Sequence, residues 1–252
     1  MIPKIIHYIW LGGKPLPEMV EKCIESWKRF CPDYEIKRWD ESNLNLDVCK
    51  YARQAYDAKK YAFASDVLRF QLLKEYGGIY LDVDVELLKP LDDLLEQKCF
   101  MGLEKWGEKI SVAPGLIVGS EKNGKVVSGI FKLYQNDRFL NKDGSINLET
   151  VCNKTTQYLL KEYGLKNENI LQTFEDITIY PAEYFCPIDG SKKEVLYLTE
   201  NSYSKHLYLA SWVTKPTFAT RFKIACKKML RKILGTKNYL KLKNKVKGNK
   251  ND

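Results

Sequence analysis

The chain has 252 residues, 44% of them apolar, which is enough to bury the core of one α/β domain of ordinary to large size. No run approaches the roughly 18 uninterrupted apolar residues of a membrane span, and the N-terminus lacks the charged and apolar regions of a signal peptide. We therefore expect a cytosolic protein. The seven cysteines are odd in number and include no C-x-x-C pair, which argues against a disulfide framework and against a zinc site.

The net charge of +9 is concentrated at one end of the chain. Residues 221–252 hold twelve Lys or Arg and one acidic residue, a net charge of +11, which leaves −2 for residues 1–220. A near-neutral body without a recognised nucleic-acid motif makes nucleic-acid binding the weaker interpretation, and we expect no nucleic-acid partner. We predict one domain over residues 1–220 and a basic tail over residues 221–252.

Strand and helix patterns alternate from the N-terminus onward. The first apolar run stops at Gly12, as expected of a buried strand that ends in a tight turn. Later, Gly77 and Gly78 are a helix-stop signal before a short strand. The order strand, helix, strand is typical of a parallel α/β sheet. The predicted elements are a strand over 4–11, a helix over 17–27, strands over 34–39 and 79–81 separated by a helix over 62–76, a helix over 126–134, and late strands or turns over 195–198 and 206–210.

Two aspartates, Asp82 and Asp84, follow the short strand at 79–81. Ligands of open α/β sheets bind beyond the carboxyl ends of the strands. Mg²⁺ or Mn²⁺ usually takes one or two protein carboxylates and completes its shell with water and phosphate oxygens, so this pair suits a diphosphate ligand. The alternative is a solvated turn or a helix N-cap.

The run ASDVLRFQLLKEYGGIYLDVD over residues 64–84 closely resembles the sugar-binding, D-x-D region of glycosyltransferase family 32. That family includes bacterial capsular polysaccharide transferases and yeast mannosyltransferases, and it is related to the catalytic domains of the clostridial glucosylating toxins. The resemblance extends to IPKIIHYIWLG over residues 2–12 and, more faintly, to the region of His206. It implies a GT-A fold, α/β with a mostly parallel central sheet, a nucleotide-sugar donor, a divalent cation and retention of anomeric configuration.

The resemblance also implies roles for individual residues, and each role has a structural alternative. Trp10 and Tyr80 are aromatic residues that a core would also use. Asp66 and Arg69 are three positions apart on a helix, where they would also form an ordinary surface pair. The implied donor-site roles are stacking of Trp10 on the base, contacts of Asp66 and Arg69 with the sugar or the phosphates, contacts of Tyr80 and Asp82 with ribose, sugar and metal, and direct metal ligation by Asp84.

The late segment completes this expected site. His206, one of two histidines in the chain, is the expected third metal ligand, and a lone structural histidine is the alternative. Ser211 and Trp212 are expected to contact the diphosphate or close the site. The family commonly has another histidine and a tryptophan where this chain has Leu207 and Tyr208.

We nominate no catalytic base, because in a retaining transferase the leaving diphosphate can itself accept the acceptor's proton. Asp82, Asp84 and Arg69 are the expected catalytic residues, since they hold the metal and stabilise the charge that develops. On the acceptor side, residues 100–200 offer polar or aromatic candidates whose spacing singles none of them out. These candidates are Glu104, Trp106, Asp176 and Glu183.

The expected function is metal-dependent transfer of a hexose from a nucleotide sugar, with a UDP-sugar favoured over GDP-mannose, to a glycan or lipid-linked acceptor in surface polysaccharide or capsule synthesis. A catalytically silent nucleotide-sugar-binding homologue and a nucleic-acid-binding module are the alternatives. The tail carries apolar helical stripes among lysines, which favours peripheral binding to an anionic membrane surface on the inner face of the cell membrane. A packed or disordered end is the alternative for the tail.

Overall fold

The computed structural model describes residues 1–192, 194–195 and 198–209. Residues Met1–Leu209 form one compact unit. The second unit, Ala210–Asp252, lies outside the described residues, and so do the predicted boundary at residue 220 and the basic tail. Among the helices of the described part, none combines the length and the apolar character needed to cross a bilayer.

The helices predicted near residues 17–27, 62–76 and 126–134 are confirmed. The helices are α1 Glu18–Phe30, α2 Lys50–Asp57, α3 Tyr61–Tyr76, α4 Lys125–Gln135, α5 Val151–Tyr163 and α6 Ala182–Phe185. The strands are β1 Ile5–Ile9, β2 Glu35–Trp39, β3 Gly78–Tyr80, β4 Val85–Leu87, β5 Cys99–Trp106, β6 Lys109–Val112, β7 Val118–Ser120, β8 Gln172–Thr173, β9 Thr178–Tyr180, β10 Ile188–Asp189, β11 Glu194–Val195 and β12 Ser204–His206.

The main sheet has the strand order β11-β10-β5-β7-β3-β1-β2. Strand β1 pairs in parallel with both β2 and β3, as the strand-helix-strand order predicts. Strand β7 lies antiparallel between β3 and β5, so the sheet is mixed at its centre. A second, two-stranded sheet joins β4 to β12. The α/β class is confirmed.

A glycine pair connects helix α3 to β3, the strand that precedes the two aspartates. Gly77 and Gly78 have φ values of +68° and +98°, a region that side chains with a Cβ rarely adopt. A Cβ on Gly78 would also lie 2.7 Å from the carbonyl oxygen of Ile5. The pair therefore ends α3 and lets β3 run directly alongside β1, as the sequence predicts.

His7 fixes this junction from inside the core. Its ring is fully buried, Nε2 donates to the carbonyl oxygen of Gly77 at 2.8 Å, and Nδ1 accepts from Trp39 Nε1 at 3.0 Å. These two partners select the neutral Nε2-protonated ring, and burial lowers the pKa of His7 to about 4. His7 is thus a structural histidine that ties β1 and β2 to the end of α3.

Candidate functional site

The two aspartates lie in the tight turn between β3 and β4. The Asp82 amide donates to the carbonyl oxygen of Gly115 at 3.0 Å, and the amide of Val85 donates back to the Asp82 carbonyl oxygen at 3.1 Å. Asp84 is buried and Asp82 is partly exposed. The turn thus holds both carboxylates beyond the end of β3, the edge at which α/β sheets bind ligands.

A buried guanidinium joins Asp82 to helix α3. Arg69 Nη2 lies 2.8 Å from Asp66 Oδ1 and 3.3 Å from Asp82 Oδ1. The guanidinium also lies over the Tyr80 ring, 4.7 Å from the ring centroid. The Tyr80 hydroxyl donates to Asp82 Oδ1 at 3.0 Å. Asp66 and Arg69 are therefore part of the site and not a surface pair, because only 3% of the Arg69 side chain is exposed.

The second aspartate is held by the last described segment of the chain. Strand β12 pairs antiparallel with β4, and this register brings His206 opposite Val85. His206 Nε2 then donates to Asp84 Oδ1 at 3.0 Å. The Leu209 amide donates to Asp84 Oδ2 at 2.9 Å, and the Leu207 amide donates to the Asp84 carbonyl oxygen at 2.9 Å. A segment more than a hundred residues away in sequence thereby closes over the aspartate turn.

Three of these side chains could hold a metal ion together. One ligand atom from each of Asp82, Asp84 and His206 lies within 4.8 Å of the others. Two carboxylate oxygens and an imidazole nitrogen are a donor set that suits Mn²⁺ or Mg²⁺. The buried Nδ1 of His206 has no hydrogen-bond partner in the part of the chain that the structure describes, which leaves a ring nitrogen for a ligand. The residues therefore fit a divalent cation.

Burial shifts the pKa values of the two carboxylates around Arg69 upwards. Burial raises the pKa of Asp66 to about 7, opposed by Arg69 and reinforced by Asp82. Burial also raises the pKa of Asp82, against the charge of Arg69. One guanidinium thus does not offset the burial of two carboxylates. Burial disfavours the charged forms of Asp84 and His206 as well, but their mutual hydrogen bond lowers the pKa of Asp84 and raises that of His206.

The other residues predicted to contact the nucleotide sugar do not join this cluster of side chains in the described structure. Trp10 follows β1 and is half-buried; its indole Nε1 donates to the carbonyl oxygen of Lys14 at 2.6 Å, and its amide donates to that of Trp39 at 2.9 Å. Trp10 thus packs beside the end of β1, and its stacking on a base stays a prediction. Ser211 and Trp212 lie outside the described residues.

The structure separates the four acceptor-side candidates. Glu104 Oε2 accepts from the Tyr208 hydroxyl at 3.5 Å, and the Trp106 ring meets the Tyr208 ring edge-on at 5.9 Å. Because the Tyr208 ring also lies 4.2 Å from the His206 ring, Glu104 and Trp106 belong to the neighbourhood of the site. Asp176 instead forms ion pairs with Lys98 and Lys125, and Glu183 accepts from Asn201.

Sequence reasoning missed two residues that shape the site. A Cβ on Gly115 would overlap Asp82 Oδ2, so only glycine leaves room for this carboxylate. Tyr208 joins the His206 ring to Glu104, although the family resemblance marked this position only as a departure. The Pro-Gly turn at residues 114–115 was the available signal for the first, and none was available for the second.

The chain is similar in sequence to known glycosyltransferases. Residues 17–101 match the family model described as "glycosyltransferase sugar-binding region containing DXD motif". The chain is 29% identical over 224 residues to an uncharacterized glycosyltransferase of Acanthamoeba polyphaga mimivirus, covering 84% of each chain. It is 40% identical over 98 residues to inositol phosphoceramide mannosyltransferase 3 of Schizosaccharomyces pombe, covering 37% of this chain but only 27% of that protein.

Among solved structures, the PaToxG glycosyltransferase superposes with a TM-score of 0.50 at 22% identity, covering 65% of this chain and 70% of that chain. This likeness shows the fold, and it confirms the GT-A type expected from the resemblance. The matched sequence region contains Asp66, Arg69, Asp82 and Asp84, four of the residues that meet in the structure. The chain is thus similar to glycosyltransferases, and its residues 17–101 match their DXD-containing sugar-binding region, as its resemblance to glycosyltransferase family 32 implied.

Proposed function

We propose that this glycosyltransferase is metal-dependent and retaining, and that it transfers a hexose from a nucleotide sugar, a UDP-sugar before GDP-mannose, to a glycan or lipid-linked acceptor in surface polysaccharide synthesis. The observation that supports the proposal best is the convergence of Asp82, Asp84 and His206 at the end of β3. These are the side chains that would hold Mn²⁺ or Mg²⁺. A cation bound there would coordinate the donor's diphosphate oxygens and offset the charge of the leaving group.

Arg69 has two tasks in this proposal. Its Nη2 holds Asp66 and Asp82 at fixed positions, and its burial keeps water from separating the ion pairs. Its Nη1 is buried with no hydrogen-bond partner among the described residues, so this N–H group remains to meet the donor. A guanidinium that already stands in place costs no reorganisation when negative charge develops.

Asp66 and Tyr80 position the sugar side of the donor. Asp66 Oδ1 accepts a hydrogen bond from Arg69 Nη2, which leaves Oδ2 to accept a hydrogen bond from a sugar hydroxyl. Tyr80 is fully buried, and its hydroxyl orients Asp82 by donating a hydrogen bond to Oδ1. No side chain is assigned as a base: the acceptor oxygen bonds to the anomeric carbon as the bond to the diphosphate breaks, and the diphosphate takes the proton on the same face.

The direct test is hydrolysis of a panel of UDP- and GDP-sugars by the full chain with Mn²⁺, with Mg²⁺ and with EDTA. Turnover of one donor that EDTA removes and Mn²⁺ restores supports the proposal. A catalytically silent homologue would bind a nucleotide sugar without turnover. ¹H NMR of the first-formed sugar reports its anomeric configuration, and an inverted product would contradict retention.

The proposed lipid-linked acceptor is supported by a relative and by the charge of the C-terminal residues. The fission-yeast relative is by name an inositol phosphoceramide mannosyltransferase, so a lipid-linked acceptor has a precedent among relatives, although the chain spans only 27% of that protein.

The +11 charge of residues 221–252 supports peripheral binding to an anionic, cytoplasmic membrane face, since each basic residue near such a surface contributes about 1 kcal/mol. Co-sedimentation with anionic and neutral liposomes tests this placement, and the absence of binding to anionic liposomes at low salt would refute it.

A further inference from the structure

An exposed tryptophan is held rigidly beside the site. Trp106 ends β5 and 53% of it is exposed, an unusual state for so large an apolar side chain. Gly190 lies under its ring: a Cβ there would stand 2.7 Å from Trp106 Cζ3. The next amide, that of Gly107, donates to the buried Asp189 at 3.1 Å, and Asp189 also accepts from Ser191. Gly190 and Tyr208 therefore lie against the indole, and more than half of Trp106 is exposed in the described part of the chain.

A carboxylate stands on the same face of the strand. Glu104 and Trp106 are two positions apart on β5, so both side chains point to one side of the sheet. Among the described residues, the Glu104 oxygens accept long hydrogen bonds from Ser111 Oγ at 3.4 Å and from the Tyr208 hydroxyl at 3.5 Å, and the Cys152 thiol, a weak donor, also hydrogen-bonds Glu104. Such contacts leave a partly exposed carboxylate with acceptor capacity for a better donor.

Tyr208 connects this pair to the candidate cation group. Its ring contacts the His206 ring at 4.2 Å and the Trp106 ring at 5.9 Å, and a Cβ on Gly190 would also lie 2.8 Å from Tyr208 Cζ. Glu104 and Trp106 are thus separated from His206 by a single aromatic ring. A ligand on Trp106 would therefore lie beside the ring that contacts His206.

We propose that Trp106 and Glu104 form the acceptor subsite, and that it takes a pyranose. The C–H face of a pyranose ring would stack on the open indole face, while one of its hydroxyls donates to Glu104. This inference rests on the proposed function, because it names the acceptor of the same transfer. Glu104 orients the acceptor hydroxyl and does not keep its proton, which leaves with the diphosphate as the new bond to the anomeric carbon forms.

The test measures pyranoside binding by saturation-transfer NMR with the full chain, UDP and Mn²⁺. The probes are the methyl α- and β-glycosides of glucose, galactose and mannose. Trp106→Ala should raise the Kd of the bound glycoside by roughly 5- to 10-fold, and Trp106→Phe should recover most of the affinity. Leu171→Ala is the matched control: Leu171 is 52% exposed, and its truncation should leave the Kd unchanged. Glu104→Ala should weaken binding more than Glu104→Gln, since the amide oxygen still accepts.

The outcomes separate the inference from the proposed function. Equal Kd values for the wild type, Trp106→Ala and Leu171→Ala would overturn the subsite, and so would a wild type that binds none of the glycosides. Donor hydrolysis by the wild type is scored independently: its absence contradicts the proposed function, while hydrolysis without a Trp106 effect contradicts only the subsite. Dodecyl glycosides of the same sugars distinguish free from lipid-linked acceptors, and binding that depends on the alkyl chain but not on Trp106 would also overturn the subsite.

Discussion

Replacing Arg69 by Met should destabilise the fold far more than an ordinary broken ion pair. The Arg69 side chain is 3% exposed and its Nη2 contacts both Asp66 and Asp82, so Arg69→Met leaves two partly buried carboxylates without their cation. Removing one partner of a buried pair typically costs about 3–5 kcal/mol. The loss of the contact with the Tyr80 ring adds to this cost. We therefore expect the free energy of unfolding at pH 7.5 to fall by about 3–5 kcal/mol.

Urea unfolding followed by circular dichroism measures this change, and Arg53→Met is the matched control. Arg53 makes a bidentate pair with Asp47 at 2.6–2.7 Å, but 38% of its side chain is exposed, so water replaces the lost contact. That variant should lose less than about 1 kcal/mol. If the two variants lose equal amounts, Arg69 is not the electrostatic support of the site and the reasoning is wrong.

Three further predictions address the site and its scaffold. Gly115→Ala should keep the fold but lower donor hydrolysis at least about tenfold, because the new Cβ overlaps the movable end of Asp82 and not backbone; unchanged hydrolysis would contradict it. Because the folded-state pKa of His7 is about 4, below its ordinary 6.5, the unfolded chain binds this proton first, and stability should fall by about 3 kcal/mol from pH 6.5 to 4. His7→Gln should flatten that part of the urea-derived profile, and parallel profiles would refute the assignment. Trp10→Ala should weaken donor binding by about 1–3 kcal/mol in titration calorimetry if Trp10 stacks on the base, and an unaltered Kd would exclude stacking.

The sequence predicts the segment of the site that runs without interruption from helix α3 to the two aspartates, because short-range patterns mark its helix, its turn and its strand. Helix α3, its glycine stop and strand β3 are contiguous in sequence, and their order already places Asp82 and Asp84 beyond a strand end. Asp66 and Arg69 could be assigned only by resemblance, because helical spacing alone does not distinguish a buried pair from a surface pair. The fold settles this point by burying the guanidinium.

Long-range contacts could not be derived from local patterns. His206 was expected at the metal by resemblance alone, because it meets Asp84 across 122 positions and no local pattern carries that register. Helix α5 lacks a clean apolar stripe because its inner face is partly polar: Thr155 is fully buried, and Thr156 accepts from the amide of Val112. Its ends carry ordinary capping residues, Thr150 as N-cap and Gly164 beyond the last turn.

We propose that Asp82, Asp84 and His206 hold a divalent cation that the transfer requires. EPR measures the binding of Mn²⁺ to the wild type and to Asp84→Asn in the presence of UDP. Both proteins are measured at a temperature at which thermal unfolding shows them to be equally folded. We predict one tightly bound Mn²⁺ in the wild type and at least about a tenfold weaker Kd in Asp84→Asn, since a neutral amide is a poorer ligand for a hard cation. Equal Mn²⁺ affinity in the two proteins would contradict it.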